Sequence, residues 1–393
     1  MIGRRREGRR VENTKSTIRA APCRPVGRQT WKRSDRNMKI AILHTRLSGY
    51  MAASLRALKR QTECEFLIYC WPNQPDAPFD MAQFEDLGTI RNRRDHTDDE
   101  IETAVRAFSP DVILTSGWAD KGYLRICKRM RASGVPVVAG SDTQWKGSLR
   151  QMIAGWTARL HVRRAIDALW VSGERQAVLA RSLGYAGDRI WDGYYACDWS
   201  KFSAPTAVAS DSEARRYFLF VGRYVEDKGL DTLAAAYRRY RDMVEEPWDL
   251  VCAGAGPLGG MLRDAGGQDL GFVQPDALPA VMQGAAAFVL PSRFEPWGVV
   301  VQEAAASGLP LVLSDQVGAG VHLLRRHWNG FSFPAGSDKT LAWALLAMHE
   351  MPDAKRDGMA RNSFMLSKQY TPERWGEMFV SGLKDLQTVR SRN

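Results

Sequence analysis

The chain of 393 residues contains no apolar run approaching the ~20 residues that a membrane-spanning helix needs. Its six cysteines, Cys23, Cys64, Cys70, Cys127, Cys197 and Cys252, include no C-x-x-C spacing. That argues against both a zinc site and a disulfide framework, and the expected state is reduced thiols in a cytosolic protein. No G-x-x-x-x-G-K-[ST] occurs, which argues against a P-loop nucleotide hydrolase. No short repeat or low-complexity tract appears either. Strong net charge is also absent from the body of the chain. The overall value is +11, but residues 1–37 carry 12 Lys/Arg against 3 Asp/Glu, leaving only +2 for the remaining 356 residues.

What is present is the composition of a soluble globular protein, 45% hydrophobic and 25% charged, at a length that calls for two domains. The basic segment 1–37 has few large apolar residues and no periodic pattern, so disorder is expected there. It lacks the apolar core of a secretory signal. Three readings of it stand: a surface for anionic lipid or nucleic acid, a transit-like segment, or translation that starts at Met38, directly before a clean first strand.

From Met38 onward short apolar runs alternate with helical patterns. Strands are predicted at Lys39–Leu43, Glu65–Cys70, Asp111–Thr115, Pro136–Gly140 and Ala168–Ser172. Helices are predicted at Ala52–Arg60, Asp99–Phe108, Tyr123–Ser133 and Leu149–Ile166. Such alternation predicts a parallel sheet covered on both faces, with ligands at the carboxyl ends of its strands. The Pro- and Ser-rich stretch Ser203–Ser212 reads as a boundary. A second series follows: strands Tyr217–Val221, Asp249–Ala253, Ala287–Leu290 and Pro310–Ser314, with helices Leu230–Tyr240 and Val299–Ser307. The expected organisation is a basic extension (1–37), an N-terminal Rossmann-like domain (38–205), a C-terminal Rossmann-like domain (206–371) and a final helix (372–393) packing back on the first domain. The fold class is therefore α/β, two doubly wound domains facing a central cleft.

The segment Phe288–Gly308 carries the most chemistry. A strand end, two prolines and Gly298 lead into a helix start, whose free N–H groups and dipole suit a phosphate. Glu295 stands before those amides and Glu303 more than a turn inside the helix. One carboxylate can then accept from a sugar's hydroxyls and the other from hydroxyls across the phosphates, a layout suited to a nucleotide sugar. The alternative is a pair of solvated surface glutamates. In VGRYVEDKG, Gly222 ends a strand, and Arg223 and Lys228 supply cations for a diphosphate, unless they are ordinary loop cations. DLVCAGAGPL ends in a Gly-x-Gly-Pro turn that lets backbone approach a ligand. Taken alone it is a weak signal, and a nicotinamide enzyme is disfavoured.

Together VGRYVEDKG, AGAGP, GFVQPDALPAVM, the E-x7-E segment, GLPLVLSDQVGAGV and NGFSF resemble the retaining glycosyltransferases of group 1, also called family 4, with the GT-B architecture. The resemblance is strong over Tyr217–Gly336 and weak over residues 38–205. It implies that Arg223 and Lys228 hold the donor diphosphate, with Gly222 at the strand end beside them. Glu295 would bind the donor sugar, with the amides near Trp297, Gly298 and Val299. Glu303 would bind the ribose diol, and the backbone near Phe272 and Val273 the base. Gly49 would approach the phosphates from the first domain. The implied activity is hexosyltransferase-like, from a nucleoside-diphosphate sugar to a glycan or glycolipid hydroxyl. No D-x-D occurs. Enzymes of the other glycosyltransferase architecture hold a metal with that pair, so neither a metal nor another cofactor is implied.

The chain departs from the pattern at Trp297, where Phe is usual, and at His322, where an acid is common. The first domain shows no clear His-Asp after its fourth strand and reads GSDTQWKG instead. Asp142 is the candidate group facing the reacting centre, or else a capping aspartate; His44 and His161 are alternatives. Trp118 and Trp145 either stack on an acceptor or pack in the core. The basic amphipathic stretch Leu149–Arg164 either contacts an anionic membrane bearing a lipid-linked acceptor or buries its apolar stripe. The expected location is cytoplasmic, with a peripheral inner-face contact among the partners. Competing readings are a nucleotide-sugar epimerase or phosphorylase of the same fold, and a membrane- or nucleic-acid-binding protein acting through the basic segment. Nucleic acid is the less expected partner.

Overall fold

The computed structural model describes residues 37–72, 81–158, 160–203 and 217–391. The expectations for the basic segment, and for the boundary from residue 204 onward, fall outside the described residues.

Seven strands make the first sheet: β1 (Met38–His44), β2 (Cys64–Cys70), β3 (Thr89–Asn92), β4 (Val112–Thr115), β5 (Val137–Ser141), β6 (Ala168–Val171) and β7 (Ile190–Trp191). Their order is β3-β2-β1-β4-β5-β6-β7, and every pairing is parallel. Six more make the second sheet: β8 (Tyr217–Val221), β9 (Asp249–Ala253), β10 (Gln268–Asp269), β11 (Ala287–Leu290), β12 (Leu311–Ser314) and β13 (Gly330–Phe333). Their order is β10-β9-β8-β11-β12-β13, again all parallel. Central strands such as β4 and β11 are buried along their whole length, as their unbroken apolar runs require. In each sheet the order reverses beside the first strand, at β1 and at β8. A crevice opens at the carboxyl ends where the order reverses.

The helices are α1 (Gly49–Gln61), α2 (Asp98–Phe108), α3 (Lys121–Ala132), α4 (Leu149–Thr157), α5 (Val162–Ala165), α6 (Glu174–Ser182), α7 (Trp199–Ser203), α8 (Leu230–Arg241), α9 (Gly259–Asp264), α10 (Leu278–Gln283), α11 (Val299–Ala306), α12 (Gly320–Leu323), α13 (Asp338–His349), α14 (Asp353–Ser367) and α15 (Pro372–Ser391). Local chemistry sets their ends. Thr97 and Glu100 form a capping box at the start of α2, with Asp98 and Asp99 complementing the dipole. Among the described residues no helix is long and apolar enough to cross a membrane. The five described cysteines are buried and free.

The structure differs from the sequence reading in three places. The edge strands β3, β7, β10 and β13 are additional. Three of them are too short or too polar to show a strand period, and β13 (GFSF) was legible only as a motif. The single helix expected over Leu149–Ile166 is broken into α4 and α5. Its apolar stripe is not buried either: Leu149, Met152, Ile153, Trp156 and Leu160 are all exposed. The face turned to the protein is made of small residues. Gly155 lies against the Ser182 carbonyl, where a Cβ would approach within 2.9 Å, and Ala158 is fully buried.

The last helix returns across the first sheet. In α15, Trp375 stacks on Trp170 of β6 at 4.5 Å and donates its Nε1–H to the Tyr194 carbonyl at 2.8 Å. Phe379 continues the stack. Gly376 lies on α1, with room for no Cβ beside Gln61, and Gly382 lies on Trp191 in the same way. Trp375→Ala removes a fully buried indole and orphans a carbonyl. It is expected to cost ~3–5 kcal/mol. A thermal midpoint equal to that of the parent would show that the stack contributes nothing to holding α15.

Candidate active site

Two adjoining cavities open where the strand orders reverse. The larger, about 470 Å³, is lined by Ser48, Gly49 and Tyr50 from the start of α1, Gly222 and Arg223 after β8, Phe272 and Val273, and Val299 and Glu303 of α11. The smaller, about 380 Å³, is lined by Asp142, Tyr195, Arg223, Lys228, Glu295, Trp297, Gly298 and Glu303, among others. The twelve residues assigned from the sequence to the donor and reacting groups line one cavity or both, whereas His44, His161, Trp118 and Trp145 line neither.

Backbone packing builds this cluster. After β8 the chain turns through Glu226–Lys228 and reaches Gly229, which adopts φ 66°. A Cβ there would lie 2.3 Å from the Pro291 carbonyl oxygen, so only glycine lets the two loops meet. The amides of Arg293 and Phe294 donate to the Asp227 carbonyl at 2.8 and 3.2 Å. With the loops joined in this way, Lys228 Nζ ion-pairs with Glu295, and both side chains are largely buried. Gly298 then takes φ 93° and opens α11. The turn at Val317–Ala319 holds the segment from behind, Gly318 N donating to the Glu295 carbonyl and Ala319 N to that of Trp297. A Cβ on Gly318 would meet the Pro296 carbonyl at 2.0 Å. The glycine of the VGAGV motif is thereby explained by a loop it supports.

The Gly-x-Gly-Pro turn needs a correction. Gly254, Gly256 and Gly259 stand at full G-x-G-x-x-G spacing, so the spacing itself does not weigh against a dinucleotide. Packing accounts for the first two glycines. A Cβ on Gly254 would lie 1.9 Å from the Gly222 carbonyl, and one on Gly256 2.6 Å from that of Tyr224. Their close approach is to the loop bearing Arg223.

Two helix starts, α1 and α11, present amides to the cavities, with Arg223 and Lys228 beside them. This is a strongly anion-attracting arrangement. Glu303 balances it on the other side. Burial pushes its carboxyl up to about 7, with Asp198 adding to the rise and Lys201 opposing it. Asp142 is half-buried and accepts from Tyr195 Oη at 3.3 Å. Burial raises its carboxyl above the usual range. Gln176 Nε2 donates to the Asp142 carbonyl at 3.1 Å and to that of Pro296 at 2.5 Å, tying the two halves together beside the site.

The other histidine candidates lie elsewhere. His44 is buried at the end of β1, its Nε2 hydrogen-bonded to Tyr194 Oη at 2.8 Å and its Nδ1 to the Arg46 carbonyl at 2.5 Å. Burial lowers it to about 4, so it is a neutral structural residue. His161 is exposed, precedes α5 and lines neither cavity. Trp118 and Trp145 pack against the first core rather than lining the cavities. The two departures from the family pattern touch each other: the rings of Trp297 and His322 lie 5.5 Å apart. Both crowd Gly173, where a Cβ would lie 2.5 Å from the indole. Tyr50, Tyr195, Asp198, Lys201 and Asp276 are site residues that the sequence reading passed over. Tyr195, Asp198 and Lys201 belong to the stretch after β7, which carries Gly193 but none of the motifs read from the sequence.

Residues 207–364 match the family described as glycosyl transferases group 1. These 158 of 393 residues liken the chain to the group 1 glycosyltransferases. The chain is similar to an uncharacterized glycosyltransferase of Methanocaldococcus jannaschii, 31% identical over 173 residues, which cover 41% of this chain and 43% of the relative. It is also similar to the alpha-D-kanosaminyltransferase of Streptomyces kanamyceticus, 27% identical over 232 residues covering 54% and 58%. The chain therefore spans only about half the length of these relatives. Among solved structures, Anabaena HepE in complex with UDP and glucose superposes with a TM-score of 0.70 at 16% identity, over 88% of this chain and 100% of that one. The architecture is GT-B.

The matched segment contributes Glu303, whose titration has a definite sign. A carboxyl raised on folding binds more protons in the folded state, so its contribution to stability falls as pH rises from about 4.5 to about 7. Glu303→Gln removes that loss. The variant's thermal midpoint, relative to the parent, is expected to rise between about pH 5 and about pH 8. A difference that is constant with pH would show that Glu303 titrates normally.

Proposed function

We propose that the protein is a retaining, metal-independent, hexosyltransferase-like glycosyltransferase. It takes a sugar from a nucleoside-diphosphate donor to a hydroxyl of a glycan or glycolipid acceptor, and it works in the cytoplasm. The observation that carries this reading is the meeting of Arg223, Lys228 and two helix starts beside Glu295 and Glu303 in one cleft. The group 1 match supports it, as does the likeness to HepE, which was solved with UDP and glucose.

In this reading the larger cavity takes the nucleoside. Glu303 accepts from the ribose diol, and the backbone at Phe272 and Val273 borders the base. Arg223, Lys228 and the amides at the start of α11 face the diphosphate. Its charge grows as the bond to the anomeric carbon breaks, so preorganised cations and amides stabilise the transition state more than the ground state. Lys228 keeps Glu295 in place at the sugar's hydroxyls through their ion pair. The acceptor oxygen bonds to the anomeric carbon on the face the diphosphate leaves. The bonding pair goes with the diphosphate, and the acceptor's proton passes to a phosphate oxygen. Asp142, held by Tyr195, borders the reacting end of the cleft.

Thermal shift in the presence of EDTA, with UDP-, GDP-, ADP- and TDP-sugars, is expected to single out one nucleotide. Arg223→Ala should abolish that shift, and Glu295→Gln should reduce transfer by at least ~100-fold, as loss of a transition-state contact does. Full transfer activity in Arg223→Ala would overturn the site. Conversion of donor without acceptor, or dependence on inorganic phosphate, would favour the epimerase or the phosphorylase instead.

A further inference from the structure

Helix α4 is built the wrong way round for a helix that packs on a globular body. Surface helices turn their large apolar residues inward. Here Leu149, Ile153 and Trp156 are 76%, 63% and 90% exposed. They follow one another at three- and four-residue spacing, with Met152 and Leu160 on the same stripe. The inward face holds Gln151, Ala154, Gly155 and the buried Ala158. A contiguous apolar patch of this kind on a soluble chain marks a contact surface.

The charge around the patch indicates its occupant. From Thr143 to Ile166 the sequence contains no acidic residue, and it contains Lys146, Arg150, Arg159, Arg163 and Arg164. Lys146, Arg150 and Arg164 are exposed. A symmetric contact between two copies would set these cations against their own images, which is unfavourable. A large apolar stripe with Trp and Met, flanked by arginines, matches the interface of an anionic bilayer, where rings and aliphatic chains enter the headgroup boundary and cations meet lipid phosphates.

The same helix is wired to the cleft. Ser148 caps it, Oγ accepting from Gln151 N at 3.3 Å. The Gln151 side chain clamps the preceding loop, Nε2 donating to the Gln144 carbonyl at 2.8 Å and Oε1 accepting from Lys146 N at 2.6 Å. Lys146 Nζ lies 3.4 Å from the centre of the Phe294 ring, next to Glu295. From Asp142, which lines the smaller cavity, to Leu149, which starts α4, the chain can reach at most ~25 Å.

We propose that α4 is a docking surface for anionic membranes, seated with its Leu149–Trp156 stripe in the headgroup boundary, and that it turns the Asp142 end of the cleft toward a lipid-borne acceptor. The acceptor side of this statement rests on the transfer reading above; the docking does not.

The test is cosedimentation of the full chain with phosphatidylcholine vesicles, with and without about a third phosphatidylglycerol. Both are run at low salt and at about 0.5 M NaCl, where attraction through the basic segment 1–37 is largely screened. The parent is expected to prefer anionic vesicles and to keep measurable binding at high salt. Ile153→Ser with Trp156→Ser should lower that retained binding roughly tenfold or more. Arg150→Gln with Arg164→Gln should weaken binding mainly at low salt. Neither pair of changes touches the cleft, so the thermal shift given by the nucleotide sugar that the donor screen singles out should be unchanged in both. No vesicle binding by the parent would overturn the proposal. So would equal high-salt binding by the Ile153/Trp156 variant, or a parent dimer that the same variant converts to monomer. No shift in the parent with any of the four nucleotide sugars would count against the donor reading and leave the docking result standing.

Discussion

The seat of Gly229 against the Pro291 carbonyl is the contact on which the cleft depends. It brings the loop after β8 onto the loop after β11, and Arg223, Lys228 and Glu295 are delivered from those two loops. With a side chain at 229 the loops would separate, and Lys228 would no longer reach Glu295. A buried carboxylate left without its cation is costly, ~3–5 kcal/mol when one partner of a buried pair is lost. The pair is thus poorly suited to adding stability by itself, but it fixes the position of both side chains.

The same principle recurs behind the loop. Gly318 fits beneath Pro296, and Gly254 and Gly256 fit beneath Gly222 and Tyr224. In each case a glycine is demanded because backbone meets backbone near the cleft. These glycines are the residues that make the motifs recognisable in the sequence. The motifs therefore record how the loops pack as much as which atoms a ligand touches. This explains why all twelve residues chosen from motifs and spacing lie at the cavities. They belong to loops whose shape depends on glycine and proline, and such positions stand out in a sequence.

What was not legible has an equally physical cause. Tyr195 and Asp198 reach the cleft from a stretch whose one glycine, Gly193, belongs to no recognisable motif, and they do so because the chain crosses from one sheet to the other there. Strands β3 and β10 are edge strands of four and two residues, with polar side chains that leave no period to read. Helix α4 shows the limit most sharply. Its stripe was plain in the sequence, but hydrophobic periodicity states only that one face is apolar. It does not state which face points inward. Gly155 and Ala158 decide that, by packing close on the Ser182 carbonyl and the first core.

Three of the contacts that join the two halves share one form. Gln176 donates to the Pro296 carbonyl, Arg175 to that of Asp315 at 2.6 Å, and Gln302 to that of Tyr195 at 2.8 Å. In each, a side chain from one half reads backbone of the other. Backbone carbonyls are fixed by the loops that carry them, so these bonds form only when those loops have their cleft shape. Trp297 adds a steric condition to the polar ones: its indole fits because Gly173 offers no Cβ, and His322, packed beside it, accepts from Glu174 N at 3.2 Å. Burial keeps His322 below the ordinary histidine range, so it is neutral and able to accept. The Trp297 wall of the cleft is therefore specified jointly by both halves. The two departures from the family pattern, Trp297 and His322, thus meet at one point, over Gly173.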